Sequence, residues 1–322
     1  MSQDDDADTV TAEAVVTTAG LVRRFGKQTA VDGIDLAVPG GSVFGFLGPN
    51  GSGKTTTIRL LLGLLGADSG TIQLFSQPMP KAASKVLPRV GAVVEGPAFF
   101  PYLSGDANLA RLQAIDKTDD PRTARVRRAE ALERVGLTAA ARKPYSHYSL
   151  GMKQRLGIAG ALMRPRDLLI LDEPTNGLDP QGTREIRNLI RGLHADGATV
   201  IVSSHLLSEV EQVCTHVGIM ARGRLIAQKS MDDLRTARVP RLSVQATSST
   251  ATAARKALTK LRLKPEGTDP AHMLVNVGDV PVPKIAKALV DAGADILELH
   301  LEQPGLEDIF VELTGTGFDV AG

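Results

Sequence analysis

The stretch Gly48-Pro49-Asn50-Gly51-Ser52-Gly53-Lys54-Thr55-Thr56 constrains this chain more than any other part of it. A glycine, four residues, then Gly-Lys-Thr is the pattern of a phosphate loop. The apolar run Val43–Leu47 comes just before and reads as a buried strand, while Thr56–Leu62 follows as a helix, giving the strand, loop, helix order such a loop requires. Glycines 48, 51 and 53 let the backbone take dihedrals closed to other residues, so that successive N–H groups turn inward around a polyphosphate. The helix beginning near Lys54 adds its free N–H groups and the positive end of its dipole. Lys54 then neutralises β and γ phosphates, and the Thr55 hydroxyl faces a Mg²⁺ ion.

Taken in order, residues 1–16 are polar and acidic and read as a disordered tail. Leu21–Phe25, the Gly26-Lys27 turn, and alternating Ile34, Leu36 and Val38 predict a small antiparallel β region. Phe25, beside a turn, is placed either to stack on a purine ring or to serve as an ordinary sheet residue. Strands are expected at Gly70–Phe75 and Val90–Val94, the latter running on to Glu95. From about 97 to 165 the period becomes helical, and the arginines between Arg122 and Arg134 read as a solvated helix face.

Ser149 is well placed to cap a helix that continues through Leu156, Ile158, Ala159 and Leu162. Leu168–Leu171 has the form of a central parallel strand delivering Asp172 and Glu173 to its C-terminal edge, where nucleotide sites lie in open α/β sheets. A second buried strand, Ala198–Val202, leads into Ser203-Ser204-His205. Leu206, Val210, Val213 and Val217 predict a helix after it, and Val217–Ala227 a closing hairpin turning at Arg222-Gly223. Beyond 240, strands at Arg241–Ala246, Met273–Val277 and Ile296–Leu301 alternate with helices near Ala253–Leu261, Pro283–Ala292 and Leu306–Leu313. That alternation predicts a compact ferredoxin-like α+β domain without a catalytic cluster.

Composition narrows the partners. The 322 residues carry 37 Lys plus Arg against 36 Asp plus Glu, a net charge of +1, so a nucleic-acid partner is not expected. Aromatics make up 3% of the chain and tryptophan is absent, which leaves no base-stacking platform. The single cysteine, Cys214, excludes an internal disulfide framework, fits a reducing cytoplasm, and reads as a packed helix residue. No run approaches the roughly 18 to 20 apolar residues that cross a bilayer, and the acidic start lacks signal-peptide character.

With these motifs in this order, residues 17–230 resemble the nucleotide-binding subunit of an ABC transporter. The resemblance implies a P-loop NTPase ABC cassette of α/β class, with a mixed sheet core, an antiparallel β region and a helical subdomain. The cassette would span 17–232, with the small C-terminal domain at 241–322. Gly48–Thr55 matches Walker A, Leu168–Glu173 Walker B, Asn176-Gly177-Leu178-Asp179 the D-loop and His205 the switch histidine; Phe25 falls where the family has its adenine-stacking aromatic.

Two positions depart from the family pattern. Tyr148-Ser149-Leu150-Gly151-Met152 stands for Leu-Ser-Gly-Gly-Gln, keeping the serine and second glycine that grip phosphate, and Glu95 stands for the Q-loop glutamine. Glutamate lacks an amide donor and adds negative charge. Both departures, with Leu-Gly-Met-Lys-Gln-Arg at 150–155, are similar to the bacitracin and lantibiotic resistance exporters and the related daunorubicin type, as is Pro304–Phe310 to the C-terminal extension of drug-exporter ATPases.

The resemblance implies an ATPase that uses ATP and Mg²⁺. Gly48, Pro49, Asn50, Gly51, Ser52, Gly53, Lys54, Thr55, Thr56, Phe25 and Glu95 would bind ATP, Thr55 and Asp172 would hold the metal, and Glu173 and His205 would be catalytic. Ser149, Gly151 and Asp179 would reach the nucleotide of a second copy in a homodimer. A separate membrane permease would hold the pair at the cytoplasmic face of the cell membrane, in a drug or antimicrobial-peptide exporter. The rival is a soluble ABC ATPase acting on ribosomes or DNA. Ribosomal members usually carry two cassettes and DNA-repair members long coiled coils, whereas this chain has one cassette and no sustained heptads. The C-terminal domain reads as a dimerisation or packing module, with small-molecule sensing as the other reading.

Overall fold

The computed structural model describes residues 13–95, 99–115, 120–236, 241–267 and 269–302. It divides between Met231 and Asp232 into two compact units. In the first, an antiparallel sheet is built from β1 (Ala14–Phe25), β2 (Gln28–Ile34), β3 (Ala37–Pro39), β5 (Ser69–Leu74) and β6 (Gln77–Met79), in the order β2-β1-β5-β6 with β3 also on β1. The tail expectation therefore ran too far. Ala14–Val16 belong to β1, because Val16 is fully buried between Val38 of β3 and Leu74 of β5. Strand β5 stops one residue short of expectation, since Phe75 takes a left-handed φ of 52°.

The second sheet contains β4 (Val43–Leu47), β7 (Val90–Val93), β8 (Leu168–Asp172), β9 (Thr199–Ser204), β10 (His216–Ala221) and β11 (Arg224–Ser230). Their order is β11-β10-β4-β9-β8-β7, parallel throughout except for the antiparallel β10–β11 hairpin. Central parallel strands are covered on both faces, which is why β4 and β8 are buried at every residue and read as apolar runs, β8 up to its terminal Asp172. Helix α1 (Lys54–Leu61) follows β4, and its Ile58, Leu60 and Leu61 join Phe44, Phe46, Leu168 and Ile170 in one core with Val16, Leu21, Val31 and Ile34 of the antiparallel sheet. Each such side chain contributes about 1.5–3 kcal/mol on burial.

Short α2 (Ala83–Val86) precedes β7, and the stretch after it is helical as expected: α3 (Gly105–Ile115), α4 (Pro121–Arg134) and α5 (Leu150–Leu162). Helix α6 (Pro180–Ala195) joins β8 to β9, and α7 (Leu207–Val213) joins β9 to β10. The helix expected to run through Val217 ends at Val213. Val217 lies in β10, where it pairs with Gly45 of β4, and sheet pairing overrides its helical spacing. Cys214 accordingly sits just past the helix rather than inside it.

The second unit holds an antiparallel sheet of β12 (Arg241–Ala246), β13 (His272–Asn276) and β14 (Ile296–Glu302), in the order β13-β12-β14. α8 (Met231–Thr236) precedes it, while α9 (Ala251–Lys260) and α10 (Val282–Asp291) connect its strands. An isolated antiparallel bridge, Glu266↔Leu274, adds a fourth row beside β13. Strand, helix, bridge, strand, helix, strand is the split βαβ order, with the second strand reduced to one bridged residue. Leu242, Val244, Leu258, Met273, Ile285 and Leu289 form its separate core. The helix expected at Leu306–Leu313 and the segment Pro304–Phe310 lie outside the described residues.

Candidate active site

Three strand ends make the site. The loop after β4 carries Lys54, β8 ends in Asp172 with Glu173 next, and β9, which lies between those two strands, leads into His205. Residues far apart in sequence thus meet at the carboxyl edge of one sheet.

The loop is shaped by close approach. A Cβ on Gly48 would stand 2.4 Å from the Met220 carbonyl oxygen, and one on Gly53, whose φ is 104°, 2.4 Å from that of Ala30. The Gly223 N–H donates to the Ser52 carbonyl at 3.0 Å, fastening the loop to the β10–β11 turn. Lys54 is 5% exposed, and its Nζ donates to the carbonyls of Gly48 at 2.6 Å and Pro49 at 3.2 Å. Burial pushes its ammonium below the usual lysine range, opposed by the nearby carboxylates of Glu173 and Asp172. Asn50 and Gly51 are exposed, and Thr55 and Thr56 half-buried. Ser52 is buried, and its hydroxyl has no hydrogen-bond partner among the described residues, a polar atom left over at the loop.

The acids are tied to β9. The Ser203 hydroxyl donates to Asp172 Oδ1 at 2.5 Å and accepts from the Glu173 N–H at 2.8 Å. Glu173 takes a φ of 47°, a left-handed backbone rare for a residue with a side chain. Its carboxylate lies between two side chains, Oε1 at 3.5 Å from the Lys54 ammonium and Oε2 at 2.8 Å from Nδ1 of the His205 ring. Beneath it, Glu209 of α7 accepts from Thr175 at 2.5 Å and Ser204 at 3.2 Å.

The residues present fit a magnesium nucleotide. Among the described residues no hydrogen bond reaches the second oxygen of Asp172, and no group of three or more side chains forms a cage for a metal ion. One carboxylate oxygen and one Thr55 hydroxyl, with phosphates and water completing the set, is the sparse oxygen ligation that Mg²⁺ accepts.

The other site residues form a second patch. Ser149 is exposed and caps α5, accepting from the Met152 N–H at 3.2 Å, while the buried Tyr148 hydroxyl donates to the Ala140 carbonyl at 2.7 Å. Asp179 caps α6 by accepting from the Gly182 N–H at 2.7 Å. A Cβ on Gly177 would be 3.0 Å from Leu150 and one on Gly151 3.8 Å from Leu178, so the two caps adjoin. Ser149, Gly151 and Asp179 make no hydrogen bond with Lys54, Glu173 or His205 among the described residues.

Phe25 ends β1 half exposed, with the Arg23 guanidinium 5.0 Å from its ring centre. Glu95, 61% exposed and at a φ of 59°, pairs with the Arg59 guanidinium of α1. Sequence reasoning missed Arg59, Ser203 and Glu209. For the last two the available signal was a polar end, Ser203-Ser204, on an otherwise apolar strand.

Comparison with known proteins bears on this geometry. The family model described as ABC transporter matches residues 31–176. Over 314 residues the chain is 38% identical to the bacitracin transport ATP-binding protein BcrA of Bacillus licheniformis, covering 94% of this chain and 98% of that one. It is 34% identical to the daunorubicin resistance ATP-binding protein DrrA3 of Streptomyces coeruleorubidus, covering 94% and 97%. Among solved structures, cbiO1 from Clostridium perfringens, part of the ABC transporter complex cbiONQ, superposes with a TM-score of 0.63 at 28% identity, covering 77% of this chain and 97% of its own. Similarity that runs nearly end to end at this level, over a sheet edge built for a phosphate chain, establishes that the chain belongs to the ABC transporter family as an ATP-binding subunit, an ATPase coupled to transport.

Proposed function

We propose that two copies of this chain, bound to a membrane permease, hydrolyse ATP at the joint between them and so power an exporter of drugs or antimicrobial peptides. The observation that carries the exporter reading is the near full-length similarity to the bacitracin transport and daunorubicin resistance proteins, which extends through the C-terminal unit. No helix among the described residues is long and apolar enough to cross a membrane.

The residues divide the work as follows. Phe25 stacks on the adenine, and the amides of Gly48–Thr56 hold the phosphates. Lys54, whose ammonium is already desolvated, exchanges its bonds to the Gly48 and Pro49 carbonyls for phosphate oxygens. Thr55 and Asp172 would hold Mg²⁺, which supplies charge neutralisation on the β and γ phosphates. Ser203 keeps Asp172 oriented. Glu173 accepts the proton of the attacking water, and His205, now on the Glu173 carboxylate, turns to the γ-phosphate. Glu95, tied to Arg59 of the helix that follows the phosphate loop, would contact the nucleotide from the Q-loop position. Ser149 and Gly151, with Asp179, close over the ATP of the partner copy, so binding shifts the population toward the closed pair and hydrolysis releases it.

Expression with its permease in a sensitive host tests the exporter reading. Reduced susceptibility to a peptide or polyketide antibiotic, lost with Lys54→Ala, is the expected result; co-purification with ribosomes or DNA instead of a multi-span membrane protein overturns it.

A further inference from the structure

Strands β8 and β9 pair as far as Asp172 and Ser203. Beyond those residues each chain turns, one turn carrying Glu173 and the other His205. In the first, the Asn176 N–H donates to the Glu173 carbonyl at 3.2 Å and the Leu178 N–H to the Thr175 carbonyl at 3.1 Å. In the second, the Leu206 N–H donates to the Ser204 hydroxyl at 3.0 Å, a bond that closes around His205. Past the end of a ladder, the spacing of two chains is no longer set by paired strands and falls to side chains.

Both turns are tied to one atom. Oε2 of Glu209 accepts from the Thr175 hydroxyl at 2.5 Å and from the Ser204 hydroxyl at 3.2 Å. Thr175 and Ser204 are buried, where a hydroxyl without a partner is costly. Glu209 is the third residue of α7, the position from which a glutamate ordinarily reaches back to the N–H of the residue that caps the helix. Here that N–H, of Leu206, already donates to Ser204, which releases the Glu209 carboxylate from capping and leaves it to the two hydroxyls.

We infer, resting on the roles proposed above for Glu173 and His205, that Glu209 is a positioning residue for ATP hydrolysis. Its carboxylate clamps the turn that follows Glu173 to the turn that carries His205, and so fixes how those two side chains meet, at 2.8 Å between Oε2 and Nδ1. With both backbones held, His205 exchanges Glu173 for the γ-phosphate by rotating its side chain alone. Glu209 itself touches neither nucleotide nor water and acts through His205.

Steady-state hydrolysis and equilibrium ATP binding of the full-length chain test the clamp. Because both hydroxyls bond to one oxygen, Glu209→Gln keeps both acceptors when its carbonyl oxygen takes that place, whereas Glu209→Ala removes both. Glu209→Ala should lower kcat by about 10- to 10²-fold, the scale of a misplaced catalytic group, with ATP affinity unchanged within about twofold, and Glu209→Gln should recover most of the rate. The deciding measurement is a cycle with His205→Ala: a clamp that acts through His205 has little left to lose without it, so the factor should shrink to about twofold in that background. Thr175→Val and Ser204→Ala each remove one donor and should each slow hydrolysis, which keeps the test open should Glu209→Ala not fold; retained ATP binding marks a folded chain. Unmodified turnover in Glu209→Ala or in both single-donor variants, a Gln variant as slow as the Ala one, or an equal loss with and without His205 overturns the proposal alone. An unmodified rate in His205→Ala overturns the role given to His205, and the clamp with it.

Discussion

Glu173 is restrained at every polar group it has: Lys54 and His205 on its carboxylate, Ser203 on its N–H, and a backbone φ of 47° that costs about 1–3 kcal/mol unless its surroundings impose it. Such restraint suits a residue that must place a water rather than move. Glu173→Gln keeps the shape and loses the base, so phosphate release should fall by about 10²-fold or more while ATP stays bound. A filter-binding assay for retained ATP beside steady-state hydrolysis checks this, and an unchanged rate removes Glu173 from the role. Glu95 calls for a different experiment. Its charge stands where the family has a neutral amide, and Arg59 compensates for it. The pair is largely exposed, so its contribution to folding is at most about 1 kcal/mol. Arg59→Ala should therefore leave the melting temperature nearly unchanged but slow turnover and raise the Mg²⁺ concentration needed for half-maximal rate, and adding Glu95→Gln should restore both. A double variant no better than Arg59→Ala would remove the pair from any part in turnover.

Strand order turns these residues into a site, and packing fixes the helices that support it. Helix α7 presses on β4 at Gly45, where a Cβ would meet Val210 at 2.7 Å and Cys214 Sγ at 2.9 Å. The same helix carries Glu209, which holds Thr175 and Ser204 on either side of the catalytic edge. Gly45→Ala should cost about 1–3 kcal/mol through overpacking and lower ATPase activity by displacing α7. Cys214 reports that movement: burial pushes its thiol up to about 12, so the native protein resists alkylation at neutral pH, and the variant should be labelled faster. Equal labelling rates and stability would show that β4 and α7 separate at no cost. Local sequence predicted β4, β8 and β9 because strands buried on both faces carry apolar runs, here Val43–Leu47, Leu168–Leu171 and Val200–Val202. It misassigned Val217 and the start of β1, where pairing with distant strands decides the outcome. The phosphate loop and the two acids were legible because their chemistry allows few substitutes. Ser203 and Glu209 were not, since a serine or glutamate acquires its role only when β8 and β9 lie side by side.

At the scale of the molecule, the two groups of site residues pose a geometric problem: Lys54, Glu173 and His205 form one cluster, and Ser149, Gly151 and Asp179 another with no hydrogen bond to it among the described residues. The pairing proposed above would resolve it: two copies facing one another in opposite directions would each bring the exposed α5 cap to the other's loop, and every complete site would draw on both chains. Complementation follows from that arrangement. Lys54→Ala spoils both cradles of a dimer, and Ser149→Arg spoils both caps, so neither variant alone builds a complete site. In a mixed dimer the two lesions fall on one site, leaving the other with an intact Lys54 from one chain and an intact Ser149 from its partner. Placed in the Glu173→Gln background to prevent turnover, each variant alone should trap no ATP, whereas the mixture should trap one ATP per mixed dimer. A mixture that retains no more nucleotide than its components would show that the cap and the cradle do not meet across a dimer, and the exposed serine would then be left with only the capping of α5, a role worth about 1 kcal/mol.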